Sequence, residues 1–284
     1  MRALEQIRQW PVRHAAAGVV TRLGRAGNPG DVPATEGDAE RVFALASVTK
    51  PLVAYAVLIA VEEGAIELDQ PAGPPGSTVR HLLAHTSGLA FDTTVIMSEP
   101  GARRIYSSAG FEVLAQFVAD QTGIAFPDYL HEAVFEPLGM KSSVLHGSAG
   151  HGARSSLTDM LQFATELLNP TLVTVETLAE ATAVQFPGTN GVLPGYGSQR
   201  PNDWGLGFEI RDRKTPHWTG AANSPRTYGH FGQSGTFLWV DPQLGLACVA
   251  LSDENFGDWA RAVWPGFSDA VIGEILGSSD TASK

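Results

Sequence analysis

Eleven consecutive residues, Pro51 to Val61, carry no charge. The segment 52–63 reads as a helix that is apolar almost all round, and such a helix needs cover on every side. The rest of the chain must therefore supply layers around it. The run falls short of the roughly 20 residues needed to cross a bilayer. Gly64 stops it, and the proline- and glycine-rich stretch from Pro71 to Gly76 makes a break. A chain of 284 residues hides roughly 75% of its unfolded surface on folding. One large domain or two interlocked ones can therefore provide that cover without staples.

Acidic residues number 30 against 19 basic ones, giving a net charge of −11. That disfavours nucleic acid, whose binding needs clustered Lys and Arg, and it disfavours an anionic membrane surface. Cys248 is the single cysteine, so an internal disulfide and a cysteine-rich metal site are both excluded. Met1 to Trp10 mixes charged with apolar residues, and Ala15 to Val20 is too short for a secretory core. The expectation is a soluble, cytoplasmic protein.

A short helix is expected over the first ten residues, then a strand over 17–23 and the turn-rich stretch from Gly24 to Asp31. Helical patterns follow at 78–85, at 109–121, with Phe111, Leu114, Ala115 and Val118 on one stripe, and at 156–168. Ser156 and Asp159 fit a helix-starting box. After about residue 200 the pattern turns to strands, at 204–210, 235–240 and 246–251. Asp241 to Gly245 supplies a hairpin turn between the last two, and a helix over 259–276 closes the chain. Strands at both ends with helices between suggest a discontinuous α/β domain carrying a helical insertion.

The sharpest chemical signal is Ser47-Val48-Thr49-Lys50, just before the apolar helix. Residues three apart share a helix face, so hydroxyl and amine can meet. The helix N-terminus favours negative charge developing on Ser47. A Lys desolvated against Leu52 and Val53 would have a lowered pKa and could accept the Ser proton. Taken alone, the same residues also suit a helix-capping Ser and a snorkelling Lys. Tyr106-Ser107-Ser108 and His230-Phe231-Gly232-Gln233-Ser234-Gly235 are weaker signals, and the latter alone would be a glycine-rich turn between strands.

Taken in order, Ser-x-x-Lys, Tyr-x-Ser and His-x-Gly resemble the serine β-lactamase and penicillin-binding-protein superfamily. The likeness is to its class C β-lactamase-like and family VIII esterase branch. The framing segments are similar too: Phe43 to Pro51, Val79 to Leu89, Glu136-Pro137-Leu138-Gly139-Met140, Trp204 to Gly207 and Leu238 to Pro242. The fold implied is α/β in the α+β sense, β-lactamase/transpeptidase-like. It has an antiparallel sheet from both chain ends flanked by helices, with a mostly helical inserted domain. Residues 1–50 plus 200–284 would form the sheet domain and 51–199 the helical one, with the active site in the cleft between them.

The resemblance makes Ser47 the acylated nucleophile and Lys50 with Tyr106 its proton relay, the base in each step left open. Ser108 would orient Lys50 or a substrate carbonyl. The backbone N–H groups of Ser47 and Gln233 would form the oxyanion hole, and Gly232 would admit substrate close to the strand. His230 stands where β-lactamases carry Lys, and Phe231 where they carry Thr or Ser. Both changes weaken a carboxylate anchor and favour a neutral ester or amide as the small-molecule substrate. A carboxylesterase acting on short-chain esters is the leading expectation, with a β-lactamase or D-amino-acid peptidase as alternative. A catalytically silent binding protein is a further one. No metal or cofactor is expected. His81 and His85 lack a third ligand, and no Gly-x-Ser-x-Gly elbow occurs.

Overall fold

The computed structural model describes residues 1–22 and 34–282. The turn-rich stretch expected at Gly24 to Asp31 lies outside the described residues. A six-stranded sheet organises the chain, built from β1 (Ala15–Thr21), β2 (Ala34–Gly37), β3 (Glu209–Ile210), β4 (Tyr228–Gly232), β5 (Thr236–Asp241) and β6 (Leu246–Ser252). The spatial order is β2-β1-β6-β5-β4-β3, and every pairing is antiparallel. Ala15 pairs with Ser252 and Thr21 with Leu246, so both ends of the chain do meet in one sheet.

Both faces of this sheet are covered. Along β6, Ala247, Val249 and Leu251 enter one apolar cluster, while Leu246, Cys248 and Ala250 enter another. This is the period of two that a strand imposes, with apolar residues at both phases because neither face meets water. Three helices stand in the first cluster: α1 (Thr49–Glu62), α2 (Ser108–Thr122) and α3 (Leu157–Leu168). The second cluster is closed by α4 (Asp258–Ala282) and the short N-terminal helix Arg2–Glu5. Every side chain of α1 from Thr49 to Ala60 is buried, as the uncharged run from Pro51 requires, and Lys50 is buried with it.

Local signals explain several boundaries. The Ser156 side chain accepts from the Asp159 N–H at 3.2 Å and starts α3. Asp241 Oδ1 accepts from the N–H groups of Gln243 and Leu244 and forms the β5–β6 turn. Two expectations need correction. The strand expected over 204–210 shrinks to Glu209–Ile210, because Gly207 turns at φ +84° and a Cβ on Gly205 would meet the Ala181 carbonyl. The His-x-Gly motif closes strand β4 rather than opening one or lying in a turn, and the turn follows at 233–235.

Candidate active site

Ser47 lies in a short 3₁₀ turn, Ala46–Val48, that leads straight into α1. Ala46 takes φ +45°, a conformation that strains a residue with a Cβ by about 1–3 kcal/mol. The neighbouring sheet holds it there. Ser234 Oγ donates to the Ala44 carbonyl at 2.6 Å, and Thr236 Oγ1 donates to the Leu45 carbonyl at 2.9 Å. Gly232 completes this clamp, since a Cβ on it would sit 2.2 Å from the Leu45 carbonyl oxygen. The room expected beside Gly232 for substrate is thus taken by the chain's own Ser47 segment.

Lys50 is fully buried. Two rings stand beside it, Tyr106 at 4.5 Å and Phe111 at 5.6 Å from Nζ to centroid. Nζ reaches the Gly150 carbonyl at 2.7 Å, Ser108 Oγ at 3.1 Å and Ser47 Oγ at 3.4 Å. Burial pushes its pKa down to about 7, with Glu112 pulling the other way. A neutral amine has two N–H bonds and one lone pair. With the N–H bonds directed at Gly150 and Ser108, the lone pair is left for the Ser47 hydroxyl.

Ser107 caps α2, accepting from the Gly110 N–H at 2.9 Å and donating to the Ala90 carbonyl at 2.6 Å. This cap sets Tyr106 and Ser108 on either side of the helix start. Tyr106 Oη lies 3.2 Å from His230 Nε2, while His230 Nδ1 lies 2.6 Å from the Phe231 carbonyl. A carbonyl only accepts, so Nδ1 carries the proton and Nε2 accepts from the phenol. Burial, then Lys50, push the His230 pKa down to about 3. Burial raises the Tyr106 pKa, and the nearby Ser47 offsets this only in part. Lys50 thus carries the one pKa near neutrality among these three groups.

Ser47, Tyr106, His230, Phe231 and Gln233 line one cavity of about 330 Å³, with Phe91, Leu193, Pro194, Trp204 and Glu209. Phe231 is buried, with Phe256 at 4.7 Å and Trp218 at 5.9 Å between ring centroids. Gln233 is exposed. His81 and His85 turn to separate partners: Nδ1 of His81 lies 2.8 Å from Thr78 Oγ1, and Nδ1 of His85 accepts from the Ser107 N–H at 3.1 Å.

Sequence reasoning missed Glu209. Its buried carboxylate is bonded by Lys214, by His217 at 2.9 Å and by Trp218 at 2.8 Å. Burial opposes ionisation, but His217 and Lys214 outweigh it and hold the carboxyl at about 2. The signal was the close spacing of Glu209, Lys214, His217 and Trp218. The residue that braces Gly150 was missed as well: Glu112 accepts from Ser148 Oγ and from the Gly150 N–H.

A sheet built from both chain ends, with a Ser-x-x-Lys turn pinned against its edge, is the arrangement of the serine β-lactamase and penicillin-binding-protein fold. The sequence model of the Beta-lactamase family matches residues 10–267, and the chain belongs to that family. A solved structure described as a β-lactamase from Mycobacterium bovis is 59% identical, covers 96% of this chain and 98% of its own, and superposes with a TM-score of 0.92. Esterase EstB of Burkholderia gladioli is 42% identical over 82% of each chain. Penicillin-binding protein 4* of Bacillus subtilis is 27% identical over 36% of this chain. The chain spans only about a third of that relative's length (30%). The family's proteins thus include esterases, β-lactamases and penicillin-binding proteins. Among the described residues, no helix is long and apolar enough to cross a membrane.

Proposed function

We propose that this protein is a serine hydrolase that cleaves short-chain carboxylic esters through an acyl-enzyme on Ser47. Ser47 gives its proton to Lys50 Nζ as Oγ bonds to the substrate carbonyl carbon. The negative carbonyl oxygen turns to the N–H groups of Ser47 and Gln233. The C–O bond to the alcohol then breaks, and the proton held by Lys50 passes to the departing oxygen. Tyr106, hydrogen-bonded to His230, lines the cavity beside Ser47. Water cleaves the acyl–Ser47 bond by a second use of the same relay.

The observation that carries ester over lactam is the charge lining the cavity. β-Lactams and D-alanyl peptides present a carboxylate, which needs a fixed cation or a hydroxyl. At that wall stand His230, kept neutral by burial, the phenyl ring of Phe231, and the ionised Glu209. A second reading, a β-lactamase, is favoured by the 59%-identical relative from Mycobacterium bovis, which is described as one.

The test is kcat/KM for p-nitrophenyl butyrate beside a chromogenic cephalosporin, with Ser47→Ala as the blank. The expected result is Ser47-dependent turnover that favours the ester. Preference for the cephalosporin would replace the ester reading with the lactamase one, and no Ser47 dependence would discard the acyl-enzyme.

A further inference from the structure

Phe91 belongs to a narrow strap over residues 88–97. The Ala90 N–H donates to the Val95 carbonyl at 2.9 Å, and the Met97 N–H to the Gly88 carbonyl at 2.8 Å. Leu89 bridges to Ile96. The strap is pinned to the start of α2, because the Phe91 carbonyl accepts from the N–H groups of Ser108 and Ala109 at 2.7 and 3.1 Å. That anchor holds the Phe91 ring at the cavity wall, 5.9 Å from the ring of Tyr106 and stacked on it.

Phe91, Val95, Ile96 and Met97 each leave more than half of their surface in water. Among the described residues, these are four of the ten large apolar side chains that stand exposed. Isolated exposed hydrophobics are ordinary on a protein surface, whereas four within seven residues at the mouth of a cavity mark a contact surface. Ile96 stands opposite Leu89, which is two residues from Phe91 and shares its face of the strap, so this face carries exposed apolar surface on from the cavity wall. The one charge on the strap is Asp92, and the chain carries −11 overall. An anionic headgroup or a free fatty acid is repelled there, so the fitting occupant is a neutral lipophile.

Resting on the ester reading, we propose that the strap binds the alcohol side of the substrate, an ester that joins a short acyl group to a lipophilic alcohol. The acyl group stays bonded to Ser47 after the first step and occupies the closed cavity. The alcohol must depart, and so lies on the open side, across Phe91 and the second strand of the strap.

The experiment is butyrate release, by pH-stat, from ethyl, butyl, hexyl and octyl butyrate. The enzyme is compared with an Ile96→Ser variant, whose change is on an exposed position. In the unsubstituted enzyme kcat/KM should rise about fourfold for each methylene covered, the equivalent of about 0.8 kcal/mol. The octyl-to-ethyl ratio should fall on the order of tenfold in the variant. A flat or falling series, or an unchanged ratio in the variant, overturns the proposal. If no butyrate ester is hydrolysed in a Ser47-dependent way, the ester reading itself has failed. The strap is then judged by the affinities of 1-butanol and 1-octanol for Ser47→Ala. Tighter octanol binding that Ile96→Ser weakens sustains a lipophilic site, and equal affinities overturn it.

Discussion

Replacing Gly232 by Ala tests whether the edge of the sheet sets the position of Ser47. The added Cβ would lie 2.2 Å from the Leu45 carbonyl oxygen, 2.6 Å from Thr236 Oγ1 and 3.2 Å from the Ala46 Cβ. Two of these neighbours belong to the segment entering the Ser47 turn, and a backbone carbonyl has no rotamer through which to escape. The segment must retreat by roughly 1 Å, because packed interiors do not absorb overlap. A misplacement of that size at a reacting group costs about 100-fold in rate, and overpacking costs about 1–3 kcal/mol in stability. The assay is kcat/KM for p-nitrophenyl butyrate together with a thermal melt. Gly266→Ala in α4 is the control, since no heavy atom within 4 Å meets its Cβ. It should raise stability by about 0.5–1 kcal/mol and leave the rate alone. A Gly232→Ala enzyme within threefold of the original rate would refute the argument that this contact positions Ser47.

Three more outcomes are expected. Burial brings Lys50 down to about 7; with its neutral form as the proposed base, kcat/KM should rise with pH through that value. Glu112→Gln removes the charge that favours the ammonium, so the rise should move to lower pH; an unmoved profile would detach Glu112 from Lys50. Phe231→Thr should raise the cephalosporin-to-butyrate ratio of kcat/KM, because it restores a hydroxyl at the carboxylate position, and an unchanged ratio removes Phe231 from the specificity argument. Glu209→Ala strands the buried Lys214 ammonium and should destabilise by about 3–5 kcal/mol, read as a melting point lower by roughly 10 °C; a loss of under 1 kcal/mol would show that the network does not support the fold.

What could be read in the sequence was what depends on near neighbours. Ser47 and Lys50 are three apart, and the helix geometry that joins them is local. The apolar run that follows announces its own burial. Strand β4 was less legible, because Gly229 and Gly232 resemble turn residues until β5 lies beside them. Trp239 pairs with Gly229 and Thr236 with Gly232; a Cβ on Gly229 would lie 2.0 Å from the Leu238 carbonyl oxygen, and one on Gly232 2.2 Å from that of Leu45. Trp204 to Ile210 has strand-like residues, yet Gly205 and Gly207 spend their freedom on close approach and a left-handed turn. Gly150 and Glu112 gave no signal at all. Their relation to Lys50 arises only when the turn at 148–152 meets α2, 38 residues away between those two positions.

The antiparallel pairing of β1 with β6 has a temporal side. Residues 15–21 emerge from the ribosome first, and their partners at 246–252 follow after roughly ten to fifty seconds of synthesis. Until then one long edge of β1 stays open, in a chain whose central strands are apolar on both faces. The clamp on the Ser47 segment also waits, since Ser234 and Thr236 are made late. The proposed site is therefore complete only once residues 232–236 have been made, and the interval before that is when a chaperone has most to protect.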